Sequence, residues 1–374
     1  MPGGSLKIGR LAGIPIGVSP LWFAIVALIT WSLGAAYYPE QVDGIGPVPA
    51  YLLGLASALL LFASILLHEL GHAVVARRRG VAIEGIDLWL LGGVAKLRGT
   101  PRSGGDELRY AVAGPAVTVV IIAIFGAVSA VLPDGTPDAL RALVSYQLLV
   151  NTLILGFNLV PAFPLDGGRL LRAALWARSG DLARATSIAA TVGRAFASLL
   201  IALGVVAAFA GAPAGLWFVL IGFFLVLAGR AEESALAVRR TFAGHEAGEL
   251  ASFPAVTIPA GLSAADAARD YFSRYRYQSF PVVGPAGVLG LLMIGRLEGI
   301  GDAELEQTPV ESLIEADPAL LVDEQTDIAE LLESRSFQRV GHVMVTGDGS
   351  RLGILSATDV ERALRASRLM PRQA

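Results

Sequence analysis

Between residues 14 and 230 the apolar positions run together in long blocks, and the charges collect in the gaps. Six blocks, at residues 20–38, 50–76, 110–132, 142–160, 186–210 and 213–229, are near or above the length needed to cross a hydrocarbon core. The gaps differ in charge. Arg77, Arg78, Arg79, Lys96, Arg98 and Arg102 follow the second block, Arg169, Arg172, Arg178 and Arg184 follow the fourth, and Arg230 follows the sixth. The other gaps hold almost no Lys or Arg. By the positive-inside rule this alternation predicts a multi-pass protein of the cell membrane with both termini cytoplasmic. Arg194, about two turns into the fifth block, is expected to snorkel to the cytoplasmic interface. The first block lacks a small-residue cleavage site behind a short apolar stretch and reads as a retained span.

Other periods appear outside the blocks. Ile86, Leu88 and Leu90 alternate, and Gly92-Gly93 is expected to turn the chain back into Val94-Ala95-Lys96-Leu97, a β-hairpin. A plain cytoplasmic hairpin would give the same pattern. After a linker at 231–247, residues 248–374 read as a soluble segment carrying an imperfect repeat, with copies at 248–305 and 308–370. Each copy reads as strand, helix, two strands, helix: Phe280-Pro281-Val282-Val283 and Gly290-Leu291-Leu292-Met293 in the first answer His342-Val343-Met344-Val345 and Gly353-Ile354-Leu355-Ser356 in the second.

Composition sharpens this picture. Charged residues make up 16% of the 374, against about a quarter in ordinary soluble proteins, and 54% are hydrophobic. Cysteine is absent, which excludes disulfides and thiolate metal sites. A net charge of −3, with no basic patch interleaved with aromatics, points away from nucleic acid.

The candidate chemistry lies in the second block, at His68-Glu69-Leu70-Gly71-His72. Residues four apart share a helix face, so His68 and His72 can offer two imidazoles to one metal ion, with Glu69 beside them as a general base. Ionisable side chains in a bilayer-length segment are expensive and mark function. Nine residues separate His68 from Arg77, which sets the pair about 14 Å inside the cytoplasmic face at 1.5 Å per residue. A catalytic zinc usually takes three protein ligands. His245 and His342 lie in the tail, so the third ligand should be a carboxylate of the membrane domain. Asp166 is the candidate: Pro161 and Pro164 end the fourth block near the membrane edge, and Gly167-Gly168 loosens the backbone after it. An interfacial helix cap would also account for that aspartate. Asn158 offers an amide to a substrate carbonyl or developing oxyanion, unless it packs with Asn151 one heptad earlier.

His68-Glu69-Leu70-Gly71-His72, followed by Asn158-Leu159-Val160-Pro161 through Leu165-Asp166-Gly167-Gly168-Arg169, resembles the site-2 protease family of intramembrane zinc metalloproteases. The likeness runs over residues 15–230 and includes Leu90-Leu91-Gly92-Gly93-Val94-Ala95 and Ala113-Gly114-Pro115. It implies one Zn2+ held by His68, His72 and Asp166, Glu69 as general base and acid, and Asn158 polarising the scissile carbonyl. It further implies that the hairpin is membrane re-entrant and pairs with an unwound substrate strand through Gly92, Gly93 and Val94. The tail resembles a pair of CBS domains, which often bind ATP, ADP or AMP and pair as dimers. In the second copy Ser356 and Asp359 look like the ribose-contacting pattern; Met293 and Arg296 stand there in the first. A dimerising role without nucleotide fits the tail as well.

The expected fold class is a polytopic α-helical membrane domain of about six transmembrane helices with a re-entrant β-hairpin, followed by a soluble α/β tandem CBS domain. The expected function is intramembrane zinc endopeptidase, cutting the transmembrane segment of another membrane protein in regulated intramembrane proteolysis, with the CBS pair gating by nucleotide. The expected partners are the lipid bilayer, a transmembrane protein substrate and a second copy of the chain through the CBS pair. A CBS-regulated transporter would need a file of polar residues through the spans, which are nearly bare apart from Glu69 and Asp166. A silent scaffold would not need an intact Glu69. A prenyl-protein protease would use a glutamate as third ligand, and no later span holds one.

Overall fold

A computed structural model describes residues 6–89, 92–98, 101–212, 214–348 and 351–369, with backbone alone at 82, 92, 94–98 and 367–369. It divides into two compact units, Met1–Ser234 and Ala235–Ala374.

The first unit opens with a hairpin that the apolar pattern did not reveal: β1 (Leu6–Leu11) and β2 (Ile14–Val18), antiparallel. Ala12 and Gly13 both take positive φ, at 50° and 75°, the geometry of a two-residue turn between right-twisted strands. Strand β2 then pairs in parallel with β3 (Ala82–Trp89), and β3 pairs antiparallel with β4 (Gly92–Arg98). The order β1-β2-β3-β4 leaves β4 at one edge of the sheet. Ile14, Ile16 and Ile86 are buried against Ala73 and its neighbours. Register pairs Trp89 with Gly92 and Leu88 with Gly93. The two glycines therefore belong to the strand, not the turn, and Leu90-Leu91 lies outside the described residues.

Among the described residues, six helices are long and apolar enough to cross a membrane. The first span, Pro20–Gln41, consists of α1 (Pro20–Ser32), a π-turn and α2 (Tyr38–Gln41). It starts where Ser19 caps the Leu21 amide and Pro20, lacking an N–H, takes the first position. The others are α3 (Pro47–Arg78), α4 (Gly104–Val131), α5 (Asp138–Asn158), α7 (Leu182–Phe209) and α8 (Gly215–Phe242). Large apolar side chains point outward along them, Phe209 90% exposed, Val131 76% and Trp217 67%. Such faces suit lipid and not water. The chain is a multi-pass membrane protein.

Helix α3 packs on α1, α4, α5 and the sheet. Its approach to α4 is close: a Cβ at Gly71 would stand 2.8 Å from the Ala113 carbonyl oxygen. Small residues at such crossings are what hold membrane helices together, because lipid supplies no hydrophobic drive between them.

One expectation is corrected here: the stretch after the fourth span is a short helix, α6 (Asp166–Ser179), whose arginines gave it the look of a loop. Arg194 is paired, its Nη1 meeting Glu233 Oε2 of α8 at 2.5 Å and its Nη2 donating to Thr191 Oγ1. Residues 231–242, within the stretch read as a linker, form the last turns of α8.

In the second unit β5 (Ile258–Pro259) runs parallel to β6 (Ser279–Gly284), which pairs antiparallel with β7 (Gly287–Met293). Then β8 (Leu321–Asp323) runs parallel to β9 (His342–Gly347), itself antiparallel to β10 (Arg351–Ser356). The sequence repeat is thus a repeat of topology, each sheet with its own apolar core: Ile258, Phe280, Val282 and Leu292 in one, Leu320, Val343, Val345 and Leu355 in the other. Val238 and Phe242, from the end of α8, pack into the second of these cores.

Candidate active site

His68 and His72 lie on one face of α3, and Asp166, the first residue of α6, meets them. Asp166 Oδ2 is 2.9 Å from His68 Nε2, Asp166 Oδ1 is 3.2 Å from His72 Nε2, and the two Nε2 atoms are 3.2 Å apart. All three side chains are largely buried. Asp166 is helical, not on loose chain as the sequence led us to expect. Gly167 and Gly168 serve close approach: a Cβ at Gly167 would fall 2.3 Å from the carbonyl oxygens of Leu159 and Val160, and one at Gly168 2.7 Å from the Ala162 carbonyl carbon. The bend from Asn158 to Asp166 folds back on α6 only because those two side chains are missing.

The other ring nitrogens fix the tautomers. His72 Nδ1 lies 2.7 Å from the Tyr110 carbonyl oxygen, which only accepts, so this nitrogen carries the proton. His68 Nδ1 is 2.8 Å from Thr118 Oγ1, and that hydroxyl donates onward to the Gly114 carbonyl oxygen at 3.4 Å. With both rings neutral, each turns its Nε2 lone pair toward the other and toward a carboxylate. Electron pairs converging this way repel unless a cation sits among them, and outward-bonded imidazoles are the usual arrangement of metal ligands. Zinc–nitrogen bonds of about 2.05 Å at tetrahedral angles set donor atoms about 3.3 Å apart, close to the separations here. The donor set fits zinc.

Room for an ion depends on Gly114. A Cβ there would stand 2.1 Å from His72 Nε2 and 2.7 Å from His68 Nε2. Thr118, the Tyr110 carbonyl and Gly114 all come from α4, and sequence reasoning assigned none of them a role, although Ala113-Gly114-Pro115 was noted. Nothing in a linear sequence says which carbonyl a ring nitrogen will find.

Glu69 is half-buried next to the pair, and a Cβ at Gly93 would meet its Cγ at 2.5 Å. The backbone of β4 therefore lies directly against the candidate base. Gly92 and Val94 occupy the same edge strand. Asn158 closes α5, half-buried and with its side-chain amide uncommitted among the described residues. It does not pair with Asn151, whose Nδ2 donates instead to the Gln147 carbonyl at 2.8 Å.

In the second unit Ser356 and Asp359 bond to each other. The Ser356 amide donates to Asp359 Oδ2 at 3.0 Å, the Ser356 hydroxyl donates to the same oxygen, and the Asp359 amide donates to Ser356 Oγ. This reciprocal pair is a capping box at the start of the helix Ala357–Leu369. In the first copy Arg296 reaches Glu315, at 2.9 Å, which Arg339 also binds.

Comparison with known proteins agrees with this picture. The model for Peptidase family M50 matches residues 56–136 and 135–200, and the CBS domain model matches 247–297. The chain is 36% identical over 376 residues to "Putative zinc metalloprotease Rip3" of Mycobacterium tuberculosis, covering 98% of this chain and 94% of the relative. It is 30% identical over 360 residues to "Zinc metalloprotease MJ0392" of Methanocaldococcus jannaschii, covering 96% of each. A solved structure, "Site-2 Protease from Methanocaldococcus jannaschii", aligns at 30% identity and a TM-score of 0.40, over 62% of this chain and 95% of that one.

Proposed function

Because the chain belongs to peptidase family M50, the site-2 proteases, and is a membrane zinc metalloendopeptidase, we propose that it cuts transmembrane segments of other membrane proteins at a centre made by His68, His72, Asp166, Glu69 and Asn158. The observation that carries this reading is the convergence of two imidazole nitrogens and a carboxylate, with the outer ring nitrogens already bonded to Thr118 and to the Tyr110 carbonyl.

His68, His72 and Asp166 would hold a zinc ion, which when bound would supply a Lewis acid to lower the pKa of a nearby water and polarise the scissile carbonyl. Glu69 accepts the proton of the attacking water and returns it to the leaving amine. Asn158 donates its free amide N–H to the carbonyl oxygen as negative charge develops there. A helical substrate hides its carbonyls in backbone bonds, so the cleaved segment must be extended. The edge position of β4 supports pairing of that segment with Gly92, Gly93 and Val94, since an open edge accepts an added strand and Gly93 lies against Glu69.

The arginines closing α3 and those along α6 favour a cytoplasmic location for those ends, and hence for the tail. Gating by ATP, ADP or AMP draws support from the doubled CBS-like topology. The capping role of Ser356 and Asp359 weighs toward a structural or dimerising tail, and both readings lead to one titration, described below.

The decisive experiment pairs Glu69→Gln with Asp166→Asn in purified protein. Glu69→Gln is expected to retain zinc and lose cleavage of a reconstituted transmembrane substrate; Asp166→Asn is expected to lose both. Cleavage at the wild-type rate by Glu69→Gln would overturn the mechanism.

A further inference from the structure

Beyond the five residues of that centre, a buried ion pair has no part in the chemistry. Arg172 lies on α6, with its side chain 11% exposed. Its Nε donates to Glu107 Oε1 of α4 at 2.8 Å, and its Nη2 donates to the same oxygen. Glu107 is more enclosed still, its side chain 1% exposed. The remaining Nη1 meets Glu232 Oε1 of α8 at 2.5 Å. The guanidinium carbon also stands 5.1 Å from the centre of the Phe163 ring, in the bend that leads into Asp166.

These contacts bracket the candidate metal ligands. Glu107 sits one helical turn before Tyr110, whose carbonyl receives the His72 Nδ1 proton. Phe163 precedes Asp166 by three residues, and Arg172 itself lies less than two turns beyond it on the same helix. Helices α4 and α6 also touch backbone to backbone at this point: a Cβ at Gly104 would fall 2.4 Å from the Ala177 nitrogen and 2.8 Å from the Ala173 carbonyl oxygen. The ion pair thus fixes the rotation of α6 about a contact already too close to slide. One end of that assembly aims Asp166; the other sets the height of the Tyr110 carbonyl.

We propose that Arg172 is a positioning residue, which holds the Asp166 carboxylate and the His72 imidazole at the mutual separation a zinc ion requires by clamping α6 to Glu107. The idea rests on the zinc-site reading above. A guanidinium is suited to the task because its planar fork can grip two carboxylates at once, which an ammonium cannot do with fixed geometry. Ligand-orienting groups outside the immediate coordination shell change metal affinity by about 10–100-fold when removed.

The test uses the full chain in detergent, with Arg172→Lys and Arg172→Met, zinc affinity measured by competition with a chelator, and visible absorption of the cobalt(II)-loaded protein. The lysine variant keeps the charge and so carries the experiment if the methionine variant fails to fold. Both are expected to bind zinc about 10–100-fold more weakly than wild type, with altered cobalt band positions and intensities. Wild-type zinc affinity and an unchanged cobalt spectrum in Arg172→Lys, accompanied only by a lower melting temperature, would overturn the proposal and leave a plain structural tie. If the wild type itself binds neither ion while correctly folded, the zinc-site reading fails, and this inference with it.

Discussion

Gly114→Ala is the most discriminating single change available. In the middle of a helix an alanine is normally better than a glycine, by about 1 kcal/mol. By that rule alone the variant should be more stable. The added methyl, however, would stand 2.1 Å from His72 Nε2 and 2.7 Å from His68 Nε2, both under the 3.0 Å that real Cβ contacts essentially never breach. The imidazoles must swing away, and the space between the donors closes. The two effects have opposite signs and separate readouts. A ligand at 100 times its Kd stabilises the folded state by about 2.7 kcal/mol. For a unit of this size that is a rise of roughly 5–10 °C in melting temperature, at about 2–4 °C per kcal/mol. Thermal melting in detergent, with and without zinc, should show that rise in the wild type and none in Gly114→Ala. Gly126→Ala on the same helix, where a Cβ meets nothing within 4 Å, is the control and should keep the zinc response. A zinc-induced shift of wild-type size in Gly114→Ala would refute the placement of the metal hollow against α4.

Further outcomes follow from other features. Gly93→Val should abolish cleavage while leaving zinc affinity within a few-fold of wild type, because the new side chain displaces Glu69 and not the metal ligands; equilibrium zinc binding and a cleavage assay separate the two. Asp359→Ala should cost about 1 kcal/mol of stability through loss of the helix cap. Titrating ATP and AMP into that variant and the wild type decides the role of the tail: binding by the wild type that weakens in the variant supports nucleotide sensing, and no binding by either leaves dimerisation. Glu315, gripped by Arg339 and by Arg296, has its carboxyl held below the usual range. Its contribution to stability is complete above the ordinary carboxylate pKa of about 4.3 and fades as the pH falls through the depressed value. Arg339→Gln should therefore flatten the acid limb of a stability profile read by circular dichroism.

The spans were legible because a bilayer imposes a length, and an apolar block of that length has few other uses. Histidines four apart on a helix were legible for a similar reason, since spacing alone puts them on one face. The N-terminal hairpin was not: Leu6 to Leu11 is exposed throughout, and β2 is only five residues long. Helix α6 was obscured by its arginines, and the role of one of them, Arg172, emerges only when Glu107 and Glu232 arrive from distant helices. The glycines misled most. Gly92-Gly93 and Gly167-Gly168 suggested a turn and a loose segment, whereas each pair lies in regular structure, and Gly93, Gly167 and Gly168 are small because something else must come close. Ser356 and Asp359 resembled a ligand-contacting pattern, and the helix start explains their mutual bonds without any ligand.

The contact between Gly93 and Glu69 has a kinetic consequence. On the proposed mechanism the strand that takes the substrate lies against the carboxylate that handles the proton, so a peptide that pulls on β4 as it docks would also move the base. Affinity and turnover cannot then be tuned apart: residues flanking the scissile bond that seat poorly on the strand should lower kcat along with raising KM. Selectivity among transmembrane segments would be expressed in the chemical step itself, which lets a protease that meets many lipid-embedded helices ignore most of them without having to exclude them.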